Sequence, residues 1–176
     1  EVSTFGQNGV HWQNKLIFGD NLQAMKTLLQ MKEDGKLVNA DGTPGVRLIY
    51  IDPPFATKKE FRGSQDQKAY QDKIAGAEFL EFLRKRLVLM RELLAPNGSI
   101  FVHLDWKKGH YAKVLMDEIF RENNFRNEIV WHYRRWSASP KFFQRMHETI
   151  FWYSKNGNYV FNPMLQAYAN PEWIED

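Results

Sequence analysis

Val46–Ile51 (VRLIYI) constrains the fold of this chain more than any other segment. The run is β-branched, aromatic and almost continuously apolar, the pattern of a parallel strand buried on both faces. It ends abruptly at Asp52-Pro53-Pro54-Phe55. Two successive prolines fix the backbone and remove two amide donors, so the chain must leave the sheet there as a stiff corner.

The remaining segments arrange themselves around that strand. Residues 1–13 read as a polar amino-terminal arm. Lys15–Phe18 is a short strand stopped by Gly19-Asp20, and a helix follows over Asn21–Lys32. The Gly-, Asn-, Asp- and Pro-rich stretch Gly35–Gly45 is a loop. Residues 56–76 are polar and show no period. Ala77–Leu94 carries Phe79, Leu80, Leu83, Leu87, Met90 and Leu94 on one stripe and is stopped by Pro96-Asn97-Gly98, which predicts a helix. Ser99–Leu104 (SIFVHL) is a second buried strand, followed by a helix over Tyr111–Arg121 with Tyr111, Val114, Leu115 and Ile119 inward. Glu128–Tyr133 and Thr149–Tyr153 are further strands flanking a basic, aromatic loop. Strands alternating with helices imply an open α/β sheet with mostly parallel core strands.

Composition narrows the chemistry. With 176 residues, 43% of them hydrophobic and 26% charged, the chain suits one globular domain. There is no cysteine, which excludes disulfides, thiolate zinc sites, iron–sulfur clusters and thiol nucleophiles. No metal-ligand set is recognised: His147-Glu148 lacks the second histidine of a zinc-protease motif. No phosphate loop and no GxSxG elbow are present. No apolar stretch approaches bilayer length and no signal-peptide layout opens the chain, so it reads as soluble and cytoplasmic, without a membrane partner.

In open α/β sheets ligands bind beyond the carboxyl ends of the strands, where Asp52 sits. An exposed carboxylate beside rigid carbonyls is an acceptor-only surface, with the Phe55 ring just behind it. That combination suits a planar group with an amino donor and a π-face, a nucleobase. The plainer alternative is a strand-ending turn whose aspartate caps the loop.

The run LIYIDPPF, with GDNL upstream, resembles the amino-directed DNA methyltransferases with permuted motif order. FLRKRLVLMRELLAPNGSIFVHLD, LMDEIF before NEIVW, and HETIFWYSK agree in order, and the similarity runs from about Leu16 to Phe161. The resemblance implies a Rossmann-like S-adenosylmethionine-dependent methyltransferase fold with a mostly parallel sheet. It implies methylation of the exocyclic N6 of adenine in double-stranded DNA, within a bacterial, archaeal or phage modification system. N4-cytosine methylation is the neighbouring alternative; carbon-5 methylation is excluded by the missing thiol. A non-catalytic DNA- or partner-binding fragment of the same fold is the alternative of another class. A restriction subunit or a second methyltransferase subunit is the implied protein partner.

Catalysis falls to Asp52, Pro53, Pro54 and Phe55. The carboxylate of Asp52 and the carbonyl of Pro53 would draw the amino group toward tetrahedral geometry, and Phe55 would stack on the flipped base. Asp20, Asn21, Asp52 and Asp105 are the candidate cofactor-binding residues. Asp20 equally suits an N-cap of the following helix, and Asp105 a turn acceptor. Lys58, Lys59 and Arg62 in one loop and Arg134, Arg135, Trp136, Lys141 and Arg145 in another are the candidate DNA contacts, against the alternative of solvated charged loops. The resemblance also predicts a Gly-rich cofactor loop, and no GxG occurs here. Residues 14–163 are therefore expected to form a partial catalytic domain and residues 164–176 a tail. The chain then reads as an amino-terminal portion, or a deletion variant, and the missing loop leaves its independent cofactor binding and activity open.

Overall fold

In the computed structural model, which describes residues 2–5, 14–54, 77–134 and 141–164, a two-stranded antiparallel sheet precedes the first helix. Its strands are β1 (Val2–Phe5) and β2 (Asn14–Ile17). The segment expected as a polar arm thus contributes a strand, as the β-branched Val2 and Thr4 and the aromatic Phe5 favour. Helix α1 (Asn21–Glu33) follows, one residue longer than expected, then β3 (Val46–Ile51) with the expected bounds. Helix α2 (Ala77–Leu93) leads directly into β4 (Leu94–Asp105), and α3 (Gly109–Phe120) into β5 (Phe125–His132) and β6 (His147–Ser154).

The second sheet has the order β3-β4-β6-β5. β3 and β4 are parallel, whereas β6 is antiparallel to both β4 and β5. Three strands therefore point the same way and one is inserted in reverse. The sheet is mixed, where a mostly parallel one was expected. The helical crossovers after β3 and β4 make the next strand run in the same direction. β6 returns from β5 without a helix among the described residues, so it comes back reversed and separates β5 from β4.

The three α-helices among the described residues feed one core. Phe79, Leu83, Leu87, Met90 and Leu93 line the buried face of α2 at three- and four-residue steps. They meet Ile100, Val102 and Leu104 of β4, with Phe151 and Tyr153 of β6, in one cluster that also holds Met25 of α1. From α3 come Ala112, Leu115, Met116 and Phe120. Tyr111 and Val114, expected inward, are exposed because the buried stripe is centred one residue further on.

The Pro96-Asn97-Gly98 stop lies inside β4 rather than before it. The β3–β4 register jumps there, from Val46 opposite Leu94 to Leu48 opposite Ser99. Gly45 makes this close approach possible: its φ is +100°, and a Cβ on it would fall 2.3 Å from the Leu93 carbonyl oxygen. β3 itself is not buried on both faces. Leu48 and Tyr50 are 63% and 55% exposed, because the helices cover only the opposite side of the sheet among the described residues. No described helix is long and apolar enough to cross a membrane.

Candidate active site

Asp52 follows the last residue of β3, and its side chain is 54% exposed. It opens onto a cleft of about 320 Å³ between the end of β3 and helix α2. Pro53 and Pro54 form one wall with Asp52; Phe82 and Arg86 of α2 form the other, and Asn21 closes the α1 side. The acceptor-rich corner and the cleft therefore coincide. Phe55 lies outside the described residues, as do Lys58, Lys59, Arg62, Arg135 and Trp136.

Asp20 and Asn21 hold the start of α1. Asp20 Oδ1 accepts from the amides of Leu22 at 3.0 Å and Gln23 at 3.1 Å, the geometry of an N-cap. Gly19 precedes it at φ +145°. The Asn21 side-chain oxygen accepts from Arg86 Nε at 2.9 Å, and Arg86 Nη2 lies 3.9 Å from Asp20 Oδ2. Arg86 is 11% exposed by side chain, donates to the Phe82 carbonyl and lies over the Phe82 ring. The FLRKRL motif that contains it gave it no role; its position one turn after Phe82 on the α2 helix places it in the cleft.

Asp105 is at the same sheet edge, at the end of β4, but it does not line the cleft. It is 8% exposed, and its Oδ1 accepts from the amides of Lys107 and Lys108 at 3.1 Å each. Those bonds have the geometry of the turn acceptor. The turn carries Trp106, Lys107 and Lys108, which the motif reading passed over. Arg145 lies 3.9 Å from the Trp106 ring centre and 4.8 Å from that of Phe142, and Lys107 lies 5.5 Å from Trp106. Arg134 and Lys141 are exposed nearby in sequence.

A polar row also crosses this edge. His103 of β4 lies between Asp52, 3.7 Å from Nδ1, and Glu148 of β6, 2.9 Å from Nε2. The alternation within SIFVHLD gives His103 the opposite face to Leu104, but only strand order brings Asp52 and Glu148 to it. Among the described residues, no group of three or more His, Asp or Glu side chains is arranged to hold a metal.

A family model described as DNA methylase matches residues 46–175. The chain belongs to the DNA methylase family. Its curated relatives include the type II methyltransferase M.EcaI of Enterobacter cloacae, 35% identical over 165 residues, covering 92% of this chain and 33% of that protein. The EcoP15I Mod subunit of Escherichia coli, a type III restriction-modification enzyme, is 31% identical, covering 82% of this chain and 24% of that protein. The probable type III HindVI Mod subunit of Haemophilus influenzae is 33% identical, covering 96% and 21%. This DNA methylase chain thus spans a third or less of the length of these relatives. Among solved structures, an M1.HpyAVI–SAM complex aligns with a TM-score of 0.48 and 19% identity, covering 84% of this chain and 60% of that one. The strand-ending Asp52 corner lies within the residues the DNA methylase model matches.

Proposed function

We propose that this chain carries the amino-group-activating part of an S-adenosylmethionine-dependent DNA methyltransferase that acts on N6 of adenine. The observation that supports this most is the open Asp52 carboxylate, flanked by two prolines, at the mouth of a cleft. An exocyclic amino nitrogen is a weak nucleophile because its lone pair is delocalised into the ring. Hydrogen bonds from that group to Asp52 and to the Pro53 carbonyl localise the lone pair and align it for in-line attack. The prolines contribute no amide hydrogens that would compete for the carboxylate. The target base must leave the duplex to reach such a corner.

S-adenosylmethionine, when bound, supplies an electrophilic methyl group on a sulfonium. The chemistry of the cleft fits part of that molecule: Asn21 offers an amide and Asp52 a carboxylate suited to a cationic neighbour, beside the Phe82 ring that carries the Arg86 guanidinium. At about 320 Å³ the cleft is at the small end of the roughly 300–1,000 Å³ typical of ligand pockets. Asn21, Asp52 and Phe82 are the residues that would contact it, with Asp20 and Arg86 holding the turn in place. An aspartate, rather than a serine, at the head of the DPPF motif favours adenine over cytosine within the resemblance.

The double-stranded DNA substrate is supported by the family, and membership of a restriction-modification system by the Mod relatives. A restriction subunit or a second methyltransferase subunit is the partner class that follows. The test is Asp52→Ala in the methyltransferase: nucleoside mass analysis is expected to lose N6-methyladenine, while calorimetry still detects S-adenosylmethionine binding, weakened by loss of the carboxylate but held by Asn21 and Phe82. Methylation that survives the substitution overturns the assignment.

A further inference from the structure

We infer that His103 is a positioning residue for Asp52, held in register by Glu148 across the sheet. The inference rests on the reading of Asp52 as the acceptor of the target amino group, and adds to it a residue to which the SIFVHLD motif gave no role. Three strands contribute. Asp52 directly follows β3, His103 lies on β4 and Glu148 on β6, the last two on the sheet face opposite the helices. The His103 and Glu148 side chains are 16% and 21% exposed, so this is a half-sheltered array beside an open carboxylate.

The hydrogen bonds assign the ring its orientation. An ionised Glu148 can only accept, so the 2.9 Å contact places a proton on His103 Nε2. The other Glu148 oxygen lies 3.5 Å from the Tyr133 hydroxyl, which donates to it from just beyond β5. With Nε2 committed, Nδ1 faces β3, where the Tyr50 hydroxyl lies at 3.3 Å and Asp52 Oδ1 at 3.7 Å. In the neutral ring Nδ1 is an acceptor: it takes the Tyr50 hydroxyl and leaves the Asp52 lone pairs to a substrate amino group. In the protonated ring Nδ1–H turns toward Asp52 and competes with the substrate for the same carboxylate. Glu148 thus fixes the tautomer, and the tautomer fixes what Asp52 has available. Among the described residues, the titratable groups that face His103 are Tyr50 of β3, Asp52 just beyond it and Glu148 of β6, with Tyr133 behind Glu148.

A histidine that merely ties β4 to β6 would keep its Glu148 bond and ignore Asp52, and the experiment separates the two. Ring 15N spectra of this chain, with His103 assigned by loss of its signals in His103→Asn, are recorded for wild type, Asp52→Asn and Glu148→Gln. The expected result is Nε2–H in wild type, redistribution of the proton between the two nitrogens in Glu148→Gln, and a displaced Nδ1 resonance in Asp52→Asn. An Nδ1 resonance that does not respond to Asp52→Asn overturns the positioning role, whatever the turnover.

Methyl-transfer kinetics of the methyltransferase that contains this chain supply the second readout. His103→Asn is expected to lower kcat by about ten- to a hundredfold, leaving KM for S-adenosylmethionine unchanged and flattening the acid limb of the pH profile. Glu148→Gln, which preserves shape, is expected to change the same limb and guards against a misfolded His103 variant. A pH profile identical to wild type in both overturns the proposal. Turnover surviving in Asp52→Ala, together with an Nδ1 resonance that does respond to Asp52→Asn, overturns the amino-acceptor reading and leaves the His103–Asp52 coupling standing.

Discussion

Arg86 Nε donates to the side-chain oxygen of Asn21 across 2.9 Å, joining the middle of α2 to the first residue of α1. The guanidinium also lies 3.5 Å from the centre of the Phe82 ring. One side chain therefore sets both the aromatic wall of the cleft and the orientation of the α1 turn. Arg86→Met keeps the hydrophobic stem but removes this tie. A hydrogen bond to a charged group contributes about 1.5–3 kcal/mol, so S-adenosylmethionine affinity is expected to fall by about tenfold or more. Calorimetry checks it, and an unchanged Kd would show that the turn holds its shape without Arg86.

The Trp106–Arg145–Phe142 stack beside Lys107 gives a different kind of prediction. Cations and aromatic faces are alternated at the sheet edge that carries Asp52, as expected for a surface that meets phosphates and bases. Lys107→Gln is expected to weaken binding to all duplexes alike and to reduce the slope of log K against log salt by about one. Trp106→Ala removes the platform under Arg145 and is expected to cost about 1–3 kcal/mol of binding, with little change in the salt slope. Fluorescence anisotropy at several salt concentrations separates the two effects. Equal slopes for wild type and Lys107→Gln would remove this turn from the DNA interface.

The parts of the site legible in the sequence were those made by neighbours in the chain. Asp52 and its prolines stand where the VRLIYI strand must end, and the Asp20 cap belongs to a strand–helix junction visible as Gly-Asp-Asn. Contacts across strands left no such mark. Glu148 read as the start of a strand, and only the reversed insertion of β6 beside β4 delivers it to His103. The exposure of Leu48 and Tyr50 was also hidden, since an apolar run implies burial without saying which face the helices will cover. Arg86 is one cation among several on α2, and its role depends on where α1 packs. Pro96-Asn97-Gly98 announced a break, but the register jump that Gly45 permits lets the break sit within the strand.

Tyr153 offers a test of the core. Its ring is fully buried between Phe120 and Phe125, and its hydroxyl donates to Asp117 Oδ1 at 2.5 Å. Burial first, then the Asp117 bond, pushes its phenol well above the usual tyrosine range, so it remains a neutral donor. Asp117 also accepts from Lys113 Nζ at 2.8 Å and is left with one partner when the hydroxyl is gone. Tyr153→Phe is therefore expected to cost about 1–2 kcal/mol rather than the full penalty of an orphaned carboxylate. Urea unfolding should show a lower midpoint with an unchanged m-value.

Lys155 makes stability depend on pH in the direction opposite to a salt-bridged lysine. Its ammonium donates to the Leu94 carbonyl at 2.7 Å, the same oxygen that Lys32 reaches at 3.1 Å. Burial first, and then the neighbouring Lys32 charge, lowers its pKa from 10.5 to about 8. Below that value both folded and unfolded chains hold the proton, and the folded state bears the full cost of the crowded charge. Between about 8 and 10.5 the folded chain has released the proton while the unfolded chain still binds it, so the Lys155 contribution to stability rises with pH. The urea midpoint of wild type at about pH 9.5, relative to about pH 7.5, should exceed the same difference in Lys155→Met. Lys32→Met, which removes the repelling cation, should also shrink that difference. A pH dependence identical in all three chains would mean that the two ammonium groups do not share the Leu94 carbonyl in solution.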